Sequence, residues 1–206
     1  MNISNFNVAT YQKLPRVVLG FHGCDKEVAE KVLNSTTEHL LPSTNDYDWL
    51  GNGIYFWQND PIRAYEWAEQ SHNRNPAKVN EPFVIGAVID LGSCLDLCER
   101  ESIISLQEAY ASLKAISKIL DYKIKKNKMP DKGGFNLIRP LDCSVIEFLH
   151  QETEMRDISY DTVVGYFQEG EDAFEGAGIK EKSHIQICVR NTDCIKGYFL
   201  PREYSR

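Results

Sequence analysis

Three features of the sequence predict an α+β fold. Strand-like apolar runs gather towards both ends of the chain, and a long stretch with helical periodicity lies between them. The regular strand–helix alternation of a wound parallel sheet is missing. Residues 16–21 (RVVLGF) read as a short buried strand ending at His22-Gly23. Asp25 is a good N-cap for the amphipathic stretch 26–33, and 34–52 is a polar loop too long to be a mere connector. Residues 53–57 (GIYFW) form a second strand. Asn59-Asp60-Pro61 then opens a helix over 62–71, because Pro fits the first helical turn, where no N–H is needed. A polar linker at 72–81 leads into FVIGAVIDL at 83–91, whose unbroken apolar character marks a central strand. Ile103, Ile104, Leu106, Ala109, Tyr110, Leu113, Ile116, Ile119 and Leu120 predict one long amphipathic helix over 101–126. Beyond it come a basic Pro/Gly-containing loop at 126–134 and a shorter helix at 143–150. Strands at 160–167 and 184–190 flank an acidic glycine-containing loop at 168–178, and a last strand lies at 198–200.

The 206 residues carry 23 basic and 30 acidic side chains, a formal charge of −7, with 10 Tyr, 9 Phe and 3 Trp. That aromatic content argues against disorder, and a chain of this length buries roughly 70% of its unfolded surface without a metal or disulfide staple. One domain spanning 1–206 is expected, soluble and cytoplasmic. No apolar run approaches the ~18 residues of a membrane span, and the first residues lack an apolar signal core. An acidic chain without a long Lys/Arg block is a poor general partner for nucleic acid, although Lys123, Lys125, Lys126 and Lys128 form a local basic patch. The six cysteines, mostly in apolar contexts, read as reduced and structural. Cys94 and Cys98 have a short ligand-like spacing but no second pair and no nearby His, so no metal is expected.

Three segments carry chemistry. Gly20-Phe-His22-Gly23-Cys24 puts an imidazole beside bare backbone that a ligand can approach; a core His satisfied by hydrogen bonds is the alternative. In Trp49-Leu-Gly51-Asn52-Gly53-Ile-Tyr55-Phe56-Trp57 the glycines lack the third Gly and helix start of a dinucleotide fingerprint, but flat rings crowd the stretch from Tyr47 to Trp67, where a planar heterocycle would stack. Alternation puts Tyr55 and Phe56 on opposite faces, so one can line a cleft while the other packs in the core. The third segment, Phe167 to Gly178, is an acidic loop bordering a strand.

Together these segments resemble the ADP-ribosyltransferase superfamily, on its poly(ADP-ribose) polymerase and diphtheria-toxin side. That branch has a His-Gly motif on its first strand, Gly-x-Gly-Ile-Tyr-Phe on its second and a Glu on a later strand. Phe21-His22-Gly23-Cys24 is similar to the first motif and Leu50-Gly51-Asn52-Gly53-Ile54-Tyr55-Phe56 to the second, with Tyr65 ten residues after Tyr55. The likeness is good over 16–70 and returns at 160–200. It implies a split β-sheet core with helices inserted between strands, and a cleft that takes NAD as co-substrate. It implies that His22 holds ribose hydroxyls, that the Gly23 backbone clamps the nicotinamide amide, and that Tyr55 and Tyr65 sandwich the nicotinamide ring. Ser43 and Asn52 join these as NAD-binding residues. The departure lies in the third motif, where SHIQICVR at 183–190 offers His184 and Gln186 but no Glu. Gln186 is assigned the family glutamate's place, and the missing negative charge falls to Glu169, with Glu171 and Glu181 as alternatives.

The first expectation is therefore mono-ADP-ribosylation of a macromolecular acceptor, protein or nucleic acid, with nicotinamide release. Small bacterial members of the superfamily are often toxins or phage-defence effectors, which implies an antitoxin protein as a partner. The alternatives are an NAD- or ADP-ribose-binding module that has lost catalysis, and an RNA-end phosphotransferase, which would carry more Arg and His in the cleft than the sequence displays.

Overall fold

The structure, a computed structural model, describes residues 17–128 and 138–202. Its elements, in chain order, are β1 (Val17–Asp25), α1 (Lys26–Leu33), β2 (Ile54–Gln58), α2 (Pro61–Arg74), β3 (Pro82–Asp90), β4 (Cys94–Asp96), α3 (Arg100–Ile119), α4 (Pro140–Glu154), β5 (Thr162–Phe167), β6 (His184–Val189) and β7 (Ile195–Phe199). The class is α+β. One seven-stranded sheet has the order β4-β5-β6-β2-β1-β3-β7, and all its ladders are antiparallel except β4–β5. Arg16 and residues 129–134 of the expected basic loop lie outside the described residues.

Side-chain alternation sorts the strands onto two faces. Ile54, Phe56, Ile85, Ala87, Ile89, Ile187 and Val189 point to one face, where Ala29 and Val32 of α1 complete the main core. The other face is covered in two parts. Helix α2 sets Ala64 against Phe21 and Trp57, while α3 and α4 pack Ala109, Leu113, Val145 and Leu149 onto Leu95, Val163 and Cys188. Asp25 caps α1, accepting from the Glu27 N–H at 2.9 Å, and its other oxygen accepts from the N–H groups of Asn80 (2.6 Å) and Glu81 (3.0 Å). These bonds, that from Glu81 foremost, hold its carboxyl below the usual carboxylate range. Asp60 accepts from the Arg63 N–H at 2.9 Å and Pro61 stands in the first turn, so α2 begins where its sequence signals place it.

Three expectations need correction, and one strand was not expected. β3 is interior but not central; it lies between β1 and β7, and β2 is the middle strand. Three-residue β4 carries too few side chains to show a period, and only its parallel pairing with β5 makes it a strand. α3 stops at Ile119, since Asp121 turns left-handed (φ 51°) and Ile119 and Leu120 face outwards with no element to cover them. α4 starts earlier than its apolar pattern shows, because the side-chain oxygen of distant Asn127 caps Leu141 N–H (3.0 Å) and Asp142 N–H (3.3 Å).

Phe56 is fully buried at the centre of the sheet. Phe56→Ala is expected to lower unfolding free energy by about 3–5 kcal/mol. A urea titration should show a lower midpoint with an unchanged slope.

Candidate functional site

The ladder between β1 and β2 is short: only Gly20↔Gln58 and Phe21↔Trp57 are in register, whereas β1 and β3 pair from Val17↔Asp90 to Asp25↔Pro82. The Asn59 N–H donates to Leu19 O at 3.0 Å. By the two-residue period, the backbone groups of Leu19, Phe21 and Gly23 therefore all face β2. Because β2 has parted from β1 beyond Phe21, the N–H and C=O of Gly23 point into the opening. A side chain at Gly23 would run into the Ala64 carbonyl oxygen, so glycine is what lets α2 close over this strand.

His22 spans the gap. Its Nδ1 lies 2.7 Å from the backbone oxygen of Tyr55, and because a carbonyl only accepts, Nδ1 carries the proton and Nε2 keeps a lone pair. Burial lowers the His22 pKa, which keeps the ring neutral.

Tyr55 is anchored twice at its hydroxyl. Its hydroxyl donates to Gly51 O at 2.6 Å and accepts from Leu50 N–H at 2.9 Å, and burial raises the phenol pKa well above its ordinary value. The loop it grips is held from behind. Glu147 of α4 accepts from Asn52 N–H at 2.7 Å and from Arg190 Nη1 at 2.6 Å, and Arg190 also reaches Asn52 O at 3.1 Å. Gly51 has φ +78°, and a Cβ there would meet Glu147 Oε1, so the Gly-Asn-Gly stretch is shaped to fit under this carboxylate.

Around the opening lies a cleft of about 720 Å³, within the ordinary size of a small-molecule site. Its floor carries His22, Gly23, Tyr55, Trp57 and Gln186; one wall is a flank of α2, and the other is the loop through Ser43, Tyr47 and Trp49. The register Trp57↔Gln186 brings β6 beside β2, and Gln186 is only 8% exposed with no side-chain partner among the described residues. Glu169 also lines the cleft, bound to Arg63 Nη2 at 2.5 Å and 3.8 Å from His184 Nδ1. Glu171 and Glu181 are not among the lining residues.

Of the residues expected to bind NAD, His22, Gly23, Ser43 and Tyr55 share this cleft, as do Gln186 and Glu169, expected in catalysis, while Tyr65 and Asn52 do not. Tyr65 is 43% exposed, on another flank of α2. Arg63, Trp67, Ser71 and Arg74 line the cleft at the helical spacing i, i+4, i+8, i+11, and Tyr65 stands about 200° round the helix from Arg63. The second ring available on that wall is Trp67. Asn52 fails for another reason: its backbone is committed to Glu147 and Arg190 on the far side of the loop. The cleft also holds the cations Arg63, Arg74 and Lys78, set against the carboxylates Asp25, Asp48 and Glu169, a balance the net charge of the chain does not display. A helical wheel anchored on buried Ala64 and Ala68 would have put Arg63 and Trp67 on one flank; Glu147 left no local signal.

Six free cysteines are described, four of them buried; burial pushes the Cys24 thiol up to about 12 and those of Cys94, Cys143 and Cys194 to about 11. In the basic segment, Lys125 Nζ is 2.7 Å from Asp46, the chain neighbour of the lining residues Asn45 and Tyr47. Among the described residues, no helix is long and apolar enough to cross a membrane.

No family profile and no solved structure matches the chain. It is similar to uncharacterized protein MJ0359 of Methanocaldococcus jannaschii, with 25% identity over 199 aligned positions, covering 85% of this chain and 83% of that protein.

Tyr55→Phe is expected to remove about 1–3 kcal/mol of stability, measured by urea unfolding, because Leu50 N–H and Gly51 C=O lose their shared partner. A pH effect follows from the histidines. Burial lowers the pKa of His22 and His184, and it lowers that of His150 to about 4. Between pH 6.5 and about 4 the unfolded chain binds protons that the folded chain refuses, so stability should fall as pH drops through that window. Urea midpoints at pH 7, 6 and 5 test this; a flat profile contradicts it.

Proposed function

We propose that this protein is an NAD-dependent ADP-ribosyltransferase that moves ADP-ribose to a macromolecular acceptor and releases nicotinamide. The observation that carries the reading is the opened edge between β1 and β2, where the Gly23 backbone, the His22 imidazole, Tyr55 and Gln186 meet on one cleft floor. The narrow two-pair joint also accords with the split sheet that the motif resemblance implies. The cleft follows α2 from Arg63 to Arg74, about 16 Å at the helical rise, which suits an extended dinucleotide.

In this reading the Gly23 N–H and C=O bind the nicotinamide carboxamide, which has one acceptor and one donor to offer. Tyr55, fixed at its hydroxyl, and Trp67 supply ring faces. His22 Nε2 and the Gln186 amide oxygen accept from ribose hydroxyls. Breaking the glycosidic bond develops positive charge on the ribose, and holding the leaving group and the sugar in place lowers that barrier. Gln186 contributes a dipole but no charge, so chain extension is not expected and single transfer is. A cytoplasmic toxin or defence effector with an antitoxin partner fits a transferase of this kind.

The second reading is a binding module for NAD or ADP-ribose without turnover. It is favoured by the pairing of Glu169 with Arg63, which neutralises the carboxylate that lines the cleft together with Gln186.

Incubation with NAD, followed by chromatography of free nicotinamide, separates the two. Release is expected from the wild type, with a drop of about 100-fold in Tyr55→Ala through lost positioning. Gln186→Ala should lower release about tenfold to 100-fold through one lost hydrogen bond to a charged state. NAD binding without release would establish the module instead. Labelled NAD added to cell lysate then shows whether the label lands on protein or nucleic acid.

A further inference from the structure

Six buried side-chain nitrogen and oxygen atoms have no hydrogen-bond partner among the described residues, and five of them gather around Arg63, which lines the cleft. These are Trp57 Nε1, Arg63 Nε and Nη1, Glu66 Oε2 and His184 Nε2. The Arg63 guanidinium carbon is 5.6 Å from the centre of the Trp57 ring, Arg63 Nη1 is 3.6 Å from Glu66 Oε2, and the Trp57 and His184 rings are 6.3 Å apart. Arg63 Nη1 and Glu66 Oε2 keep an ion-pair contact with each other, which leaves Trp57 Nε1, Arg63 Nε and His184 Nε2 with neither a hydrogen bond nor an ion pair. Buried polar groups are normally paired, so this group marks a place for a further polar partner.

The kind of partner follows from the atoms. Three of the five are N–H donors, two from a guanidinium and one from an indole, and Arg63 is only 7% exposed. Excess donors around a buried cation call for an acceptor-rich anion, and a guanidinium fork matches a phosphate-type oxyanion. His184 donates from Nδ1 to Lys182 O at 2.7 Å, which leaves its Nε2 as an acceptor for a hydroxyl or water beside that anion.

Charge decides how an anion enters. Arg63 and Lys182 face Glu66 and Glu169, two positive groups against two negative, with Lys182 Nζ 3.3 Å from Glu66. An added anion is balanced if one carboxylate withdraws. Glu66 is held on α2 between Arg63 and Lys182, whereas Glu169 lies beyond the end of β5 with its backbone C=O fixed by the Lys182 N–H at 3.1 Å, so its withdrawal is a rotation of the side chain alone.

We propose that Arg63 and the Trp57 N–H form a binding site for a phosphate-type oxyanion, in which the Glu169 carboxylate sits until a ligand phosphate displaces it. The displaced carboxylate stays at the cleft wall beside Gln186 and supplies the negative charge that Gln186 lacks. That consequence rests on the proposed ADP-ribosyl transfer; the binding itself does not.

The test is calorimetric titration of the intact protein with inorganic phosphate, without NAD. Saturable binding is expected in the wild type, and Glu169→Gln should bind about tenfold tighter, because the competing carboxylate is gone. Trp57→Phe should bind more weakly, and Arg63→Gln should not bind. Glu169→Gln and Trp57→Phe leave Arg63 in place, so the idea stays testable if Arg63→Gln fails to fold. No phosphate binding in either the wild type or Glu169→Gln overturns the proposal. So does binding that persists in folded Arg63→Gln, or that weakens in Glu169→Gln. A repeat with ADP-ribose identifies the source of the phosphate: competition with inorganic phosphate assigns the site to the dinucleotide's diphosphate, and simultaneous binding assigns it to a phosphate on the acceptor. Phosphate bound by a protein that releases no nicotinamide would keep this site and discard the transferase reading.

Discussion

The ladder between β1 and β2 closes at Gly20↔Gln58 and Phe21↔Trp57, and from there the two strands part. A sheet normally spends every inward backbone group on its neighbour, and an opened edge leaves those groups to be met by something else. Here the Tyr55 carbonyl is met by the His22 imidazole at 2.7 Å, and Gly53 is met by Ser43 through N–H···O bonds of 3.0 and 2.8 Å. Gly23, on the opposite lip, faces the cleft. The cleft in this fold therefore lies where the sheet fails to pair, with a packed core on either side of the two lips.

Rigidity at the cleft is borrowed from the second half of the molecule. The Tyr55 ring is fixed through its hydroxyl to Leu50 and Gly51, that turn is fixed to Glu147, and Glu147 is fixed to Arg190 at the end of β6. Each link is a hydrogen bond with little freedom in a partly buried setting, and charged partners strengthen those to Glu147. The arrangement ties the aromatic wall of the cleft to α4, so packing of the helices over β4–β6 bears directly on cleft shape. The opposite wall, α2, is more adaptable chemically: its small residues Ala64 and Ala68 meet the sheet, and its larger ones turn towards ligand space.

Charge is distributed unevenly around this frame. The chain is acidic overall at −7, yet its cleft is lined by the cations Arg63, Arg74 and Lys78 as well as the carboxylates Asp25, Asp48 and Glu169. Part of the acidic excess, Glu169 in particular, is spent on holding one of those cations. A net charge therefore describes the surface as a whole and says little about the sign of a site recessed in it.

Local sequence determined the elements whose signals are themselves local. Asp25 and Asp60 cap α1 and α2 because a carboxylate one residue before a helix can reach its first N–H groups. Tyr55 and Phe56 divide between cleft and core because a strand alternates. The His-Gly and Gly-Asn-Gly-Ile-Tyr segments pointed to the lips of the opening for the same reason: each is a short run with its own backbone consequence. Tertiary structure alone decided that β3 is not central, that Asn127 starts α4, that Tyr65 faces away while Trp67 faces the cleft, that Arg63 lines the cleft and that Glu147 braces the loop behind it. Those facts depend on which flank of a helix meets which strand and on partners far apart in sequence, such as Arg63 and Glu169 or Asn52 and Glu147. Distance along the chain carries no record of such pairings until packing has brought the partners together.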